Sequence, residues 1–205
     1  MATLLPYPPQ PVELTGRQVR LEPLLREHAS ALINAAGDGE LWQLWYTGVP
    51  VPAELPAWID GTLALQSAGK ALAFSVRHLA SGEIVGTTRY MNIEPDRRRL
   101  EIGTTWYASR VQRTALNTEA KLLLLQHAFE SLGCMAVEFR THFFNFRSRE
   151  AIAKLGARQD GILRQHSMAA NGTMRDTVVF SILDHEWPAV QAHLRFRLGR
   201  LGVQN

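Results

Sequence analysis

Apolar and polar residues alternate along residues 100–107, so Leu100, Ile102, Thr104 and Trp106 share one face of an extended segment and Glu101, Gly103, Thr105 and Tyr107 the other. Glu101 falls on the less apolar face. After a polar stretch, Leu122, Leu125, Phe129 and Leu132 recur at helical spacing, which predicts a helix opening at Asn117 and Thr118, with Glu119 in its first turn and Gly133 as its stop. A strand that feeds a loop into a helix start gathers unpaired backbone N–H groups at one point, an arrangement suited to a phosphate.

The same periodicities place the other elements. Alternation over 17–23, 72–76, 84–91, 135–141, 161–168 and 175–183 predicts further strands, and helical spacing predicts helices over 28–36, 55–68, 145–155 and 187–198. Turns are expected at Ala80-Ser81-Gly82, Glu94-Pro95-Asp96 and Ala170-Asn171-Gly172. The fold class is therefore mixed α/β (α+β): a central twisted mixed sheet of about seven strands flanked by four or five helices. Pro6, Pro8, Pro9 and Pro11 make residues 1–16 an extended arm, and residues 17–205 read as a single domain.

Composition narrows the chemistry. With 46% hydrophobic and 20% charged residues, the chain has a soluble protein's balance, and its apolar runs are too short to span a bilayer. Its start lacks a basic block followed by an apolar one, which leads to the expectation of a cytoplasmic protein. Cys134 is the one cysteine, so no internal disulfide forms, and the seven histidines lack metal-ligand spacing; no metal site is expected. A net charge of +3 spread along the chain argues against a nucleic-acid partner. Nucleotide-binding glycine fingerprints are absent.

The stretch 100–132, followed by Asn145-Phe146-Arg147-Ser148 and Leu155-Gly156, resembles the GNAT superfamily of N-acetyltransferases, in particular its RimJ/RimL-type branch, and the order of elements matches over residues 17–183. Glu101-Ile102-Gly103 matches the family's central strand, and Gln112-Arg113-Thr114-Ala115-Leu116-Asn117 aligns with its pyrophosphate loop, with Ala115 and Asn117 where glycine and glycine or alanine are usual. The resemblance implies acetyl-CoA as cofactor, held by Trp106, Tyr107, Gln112, Arg113, Thr114, Ala115, Leu116, Asn117, Thr118, Asn145, Ser148 and Arg149, with Arg147 a further phosphate neighbour. It implies an amine acceptor, a peptide or protein N-terminus or a small molecule, lying against Trp42, Trp45, Tyr46 and Tyr90. A homodimer is expected on the same ground.

Acetyl transfer needs a base for the amine, polarisation of the thioester carbonyl and a proton for the departing sulfur. Glu101 is the candidate base, its alternative being an ion pair with Arg89. Ser148 is the candidate acid, because the position where many relatives carry a tyrosine is Ile152; its alternative is helix capping. Backbone N–H groups near Trp106 and Tyr107 would polarise the carbonyl. The competing reading is a non-catalytic acyl-CoA-binding module on the same fold.

Overall fold

The computed structural model describes residues 8–169 and 171–203. The strands are β1 (Leu14–Thr15), β2 (Val19–Pro23), β3 (Ala71–His78), β4 (Ile84–Glu94), β5 (Arg99–Tyr107), β6 (Ala136–His142), β7 (Arg158–Met168) and β8 (Met174–Leu183). The helices are α1 (Ala29–Gly37), α2 (Leu55–Ser67), α3 (Leu116–Gln126), α4 (Phe146–Ala153) and α5 (Trp187–Arg200). All eight strands join one sheet in the order β1-β2-β3-β4-β5-β6-β8-β7, and β5 and β6 form its parallel pair, with α3 as the crossover between them.

The strand beyond the expected seven is β1, two residues inside the segment read as an arm, which pairs Leu14 with Leu21 and Thr15 with Arg20. Two residues carry too little alternation to reveal a strand. Residues 1–7, including Pro6, and Ala170 of the last hairpin turn lie outside the described residues.

Helix α3 is buried nearly all round, which explains its apolar composition. Leu116, Leu124 and Leu125 enter the core with Leu21, Leu72, Phe74, Leu100 and Phe139. Its Glu119 does more than sit near a helix dipole. The carboxylate is buried and accepts the backbone N–H groups of Arg17 (2.9 Å), Gln18 (2.7 Å) and Val19 (3.0 Å), tying the turn before β2 to the first turn of α3. Gly16 is required there, since a Cβ would stand 2.6 Å from the Glu119 carboxyl carbon.

The sheet opens at its centre. Strands β5 and β6 pair through Arg99, Leu100 and Glu101 only, although β5 continues to Tyr107 and β6 to His142. On its other side β5 stays bound to β4, with a register shift between Thr87 and Arg89 opposite Thr104, whose φ is +49°. The gap beyond Glu101 is the candidate site.

Candidate active site

A cleft of about 1150 Å³ occupies this gap, lined by β5 from Glu101 to Tyr107, by β6 from Phe139 to His142, and by the starts of α3 and α4. Where β5 and β6 part, β5 beyond Glu101 has no strand partner on that side, and Trp106 and Tyr107 line the opening.

At one end lies the loop before α3. The helix starts at Leu116, capped at Ala115, one residue ahead of the expected Asn117. Thr114 replaces Asn117 as the local anchor: its hydroxyl donates to the Val111 carbonyl at 2.7 Å and accepts the Leu116 N–H at 3.3 Å. The N–H groups of Arg113, Thr114, Ala115, Asn117 and Thr118 meet no acceptor among the described residues. The left-handed residue is Arg113 (φ +64°), while Ala115 sits at φ −67°, ψ −16°. Alanine therefore costs nothing where the family uses glycine, and the loop remains a concave set of backbone donors.

Gln112 braces this loop. Its Nε2 donates to the Tyr107 carbonyl at 2.8 Å and its Oε1 accepts from the Arg147 guanidinium at 2.9 Å. Asn145 caps α4, its Oδ1 accepting the Ser148 N–H at 3.0 Å, so capping falls to Asn145. The Ser148 hydroxyl makes no hydrogen bond among the described residues and lines the cleft.

At the other end is Glu101, buried, its Oε2 accepting from Asn92 Nδ2 at 2.7 Å and lying 3.5 Å from Arg140 Nε. Burial raises its pKa above the usual carboxylate range, against the lowering pull of the Asn92 hydrogen bond and Arg140. Arg89 is not its ion-pair partner. Asn92 holds Glu101 from a left-handed conformation (φ +46°) at an irregularity of β4, a contact that local sequence does not announce.

Several expected residues lie elsewhere. Tyr90 is wholly buried on the opposite face of β4, its hydroxyl donating to the Leu124 carbonyl at 2.7 Å, and does not line the cleft. Arg149 turns away, donating to the Phe143 carbonyl and stacking over Phe143 and Phe146; Arg113 and Arg147 face the cleft instead. Ala115 and Leu116 point their side chains into the core. Of the aromatic segment, Tyr46 lines the cleft, Trp42 packs against the core, and Trp45 rests edge-on against His142 with ring centroids 4.9 Å apart.

Trp58 and Lys121, which sequence reasoning passed over, complete the walls together with His142. Trp58 of α2 lines the cleft. His142 accepts the Phe144 N–H on Nδ1 at 3.1 Å, which puts the neutral ring's proton on Nε2; that nitrogen is buried without a partner. Burial, then Arg175, lowers the His142 pKa, keeping the ring neutral near pH 7. Lys121 of α3 is buried among Thr105 (2.7 Å) and Thr88 (3.2 Å), and burial lowers its pKa to about 7. Among the described residues no group of three or more His, Cys, Asp or Glu side chains is placed to hold a metal, and no helix is long and apolar enough to cross a membrane.

Comparison with known proteins places this geometry. Residues 18–158 match the family model of the acetyltransferase (GNAT) domain. A GCN5-related N-acetyltransferase from Brucella melitensis is 34% identical, covering 92% of this chain and 86% of its own, with a TM-score of 0.82. RimJ of Mycobacterium smegmatis, solved in complex with CoA-disulfide, is 25% identical over 95% of this chain and 96% of its own, with a TM-score of 0.76. A Bacillus subtilis protein named as a candidate ribosomal N-acetyltransferase, YdaF, is 29% identical over 109 residues, 53% of this chain and 58% of its own. The match thus spans less than two thirds of that curated relative.

Proposed function

The chain belongs to the acetyltransferase (GNAT) family, and on that premise we propose that it is an acetyl-CoA-dependent N-acetyltransferase moving the acetyl group directly to a primary amine, at a peptide or protein N-terminus or on a small molecule. The observation that carries the reading is the opening between β5 and β6, with free backbone donors at one end and a buried carboxylate at the other. An acyl-CoA would supply the activated thioester. The loop 113–118 and Arg147 fit its phosphates, since five N–H groups in that loop lack acceptors.

Each remaining step falls to a residue of this chain. Glu101, with its raised pKa, takes the proton that the amine loses as the N–C bond forms. Unpaired β5 N–H groups near Trp106 stabilise the negative charge on the carbonyl oxygen. The Ser148 hydroxyl, which lines the cleft, donates its proton to the sulfur as the C–S bond breaks and is reprotonated from solvent. Cys134 is buried and takes no part.

Coenzyme A at about one hundred times its dissociation constant should raise the melting temperature by roughly 5–10 °C. Thiol release from acetyl-CoA should then require an added amine. Glu101→Gln should lower kcat about 100-fold and Ser148→Ala about 10-fold, both retaining the CoA-induced shift. No shift at millimolar CoA would defeat the reading, and a shift without thiol release for any amine would replace the enzyme with a binding module.

A further inference from the structure

Four arginines and two carboxylates meet at the Glu101 end of the cleft, and their pairing is incomplete. Glu138 engages Arg99 and accepts from Arg140 at 2.9 Å; Glu101 engages Asn92 and, at 3.5 Å, Arg140. Arg89 and Arg175 both line the cleft, and neither has a carboxylate within 4.0 Å among the described residues. The Arg89 Nε is buried with no hydrogen-bond partner, and Arg175 Nε finds only the Thr177 hydroxyl, at 3.2 Å. Burial lowers the pKa of both guanidinium groups, while Glu101 pulls each upward. Glu101 is too far to pair with them and too few to neutralise them. Two half-buried cations on one wall, one with its Nε buried and unpartnered, offer donors that an anion in the cleft would satisfy and that no carboxylate of the described residues does.

Phosphates at the mouth of the cleft do not meet that requirement. Arg89 pairs across the sheet with Gly103, four residues before the end of β5, a separation of ~13 Å along an extended strand. The loop 113–118 begins beyond that end. Met91, which shares the Arg89 face of β4, pairs with Glu101, so both cations surround the candidate base and not the cofactor loop. Planar guanidinium forks suit a carboxylate or phosphate oxyanion.

We infer that the acceptor is an anionic amine, carrying a carboxylate or phosphate oxyanion a few bonds from the nitrogen, and that Arg89 and Arg175 hold that oxyanion while the amine reaches Glu101. This rests on the acetyltransferase reading above and specifies its substrate. The oxyanion sets the distance between the arginines and the nitrogen, giving orientation as well as affinity. The net charge is favourable only when the substrate brings it: a neutral amine would leave both cations unpaired.

The test compares matched amines with acetyl-CoA by thiol release: an amino acid against its carboxamide, a peptide with Asp or Glu next to its N-terminus against the Asn or Gln peptide, and phosphoethanolamine against ethanolamine. The expected result is a kcat/KM at least 50-fold higher for the anionic member of one or more pairs, and which pair responds identifies the source of the oxyanion. Arg89→Gln and Arg175→Gln should each raise KM for that substrate about 10-fold or more, raise KM for its neutral partner far less so that the anionic preference collapses, and keep the CoA-induced thermal shift; Arg→Lys variants should recover part of the loss. Thr177→Val, which frees Arg175 without removing it, gives a second route if a glutamine variant fails to fold, with a smaller loss of the same preference expected. Equal or better turnover of the neutral members overturns the acceptor class and leaves the acetyltransferase reading standing. Absence of transfer to every amine overturns both.

Discussion

Glu119→Ala is expected to lower the stability of the folded chain by about 3–4 kcal/mol, although the residue touches no substrate. Hydrogen bonds from backbone N–H groups to a charged carboxylate contribute more than neutral ones, about 1.5–3 kcal/mol each. Glu119 accepts three. Arg17 is exposed, and its N–H regains water when the carboxylate is gone, whereas Val19 is wholly buried and its N–H becomes an orphan. Counting that difference brings the sum down to the figure given. The measurement is the urea midpoint with the slope held constant. Glu119→Gln should cost less, since one acceptor oxygen remains. Gly16→Ala should destabilise the wild-type chain, because its Cβ meets the carboxyl carbon at 2.6 Å, and should be milder in the Glu119→Ala background. A stability change below about 1 kcal/mol for Glu119→Ala, the midpoint shift times the slope, would mean that the clamp is dispensable.

Glu119 also marks where sequence reading stops. A carboxylate in a helix first turn is legible as a dipole partner, but its contacts lie about a hundred residues earlier in the chain, and no local pattern encodes them. Alternation in residue type located seven of the strands even though β3 is buried on both faces and β7 exposed on both; β1 was too short to carry it. Glu101 was legible as the odd polar residue in a core strand, and the resemblance named its neighbours. Its real holder, Asn92, acts from a left-handed kink that β-propensity does not foresee.

The misplaced residues share a cause. Tyr90, Arg149 and Trp45 sit in the right elements, but periodicity alone does not say which face of an element borders the cleft. Adjacent β4 residues divide the work: Tyr90 serves the core under α3, and Arg89 serves the cleft. The start of α3 was one residue off because Thr114 and the left-handed Arg113 take the roles of a side-chain cap and a flexible glycine. Lys121 was invisible for a simpler reason. Lysine in an apolar helix reads as its solvent stripe, and here the helix has almost none.

Lys121→Met is accordingly expected to stabilise the protein, by about 2–4 kcal/mol near pH 6.5, raising the melting temperature by roughly 5–10 °C. The ammonium is buried with two hydroxyls and no anion, and its pKa falls from an ordinary 10.5 to about 7. Each unit corresponds to about 1.4 kcal/mol, so burial of the charge costs at most about 5 kcal/mol, and loss of the Thr88 and Thr105 hydrogen bonds offsets part of the gain. The sign with pH follows from proton counts. Below pH 7 both folded and unfolded states hold the proton and the full cost is present; between 7 and 10.5 the unfolded chain keeps a proton that the folded chain has lost, so wild-type stability rises with pH relative to the variant. The advantage of methionine should therefore shrink by more than half between pH 6.5 and 9.5, read from parallel melts. A variant no more stable than wild type at pH 6.5, or an advantage constant across that range, would show that Lys121 is neutral or externally paired in solution.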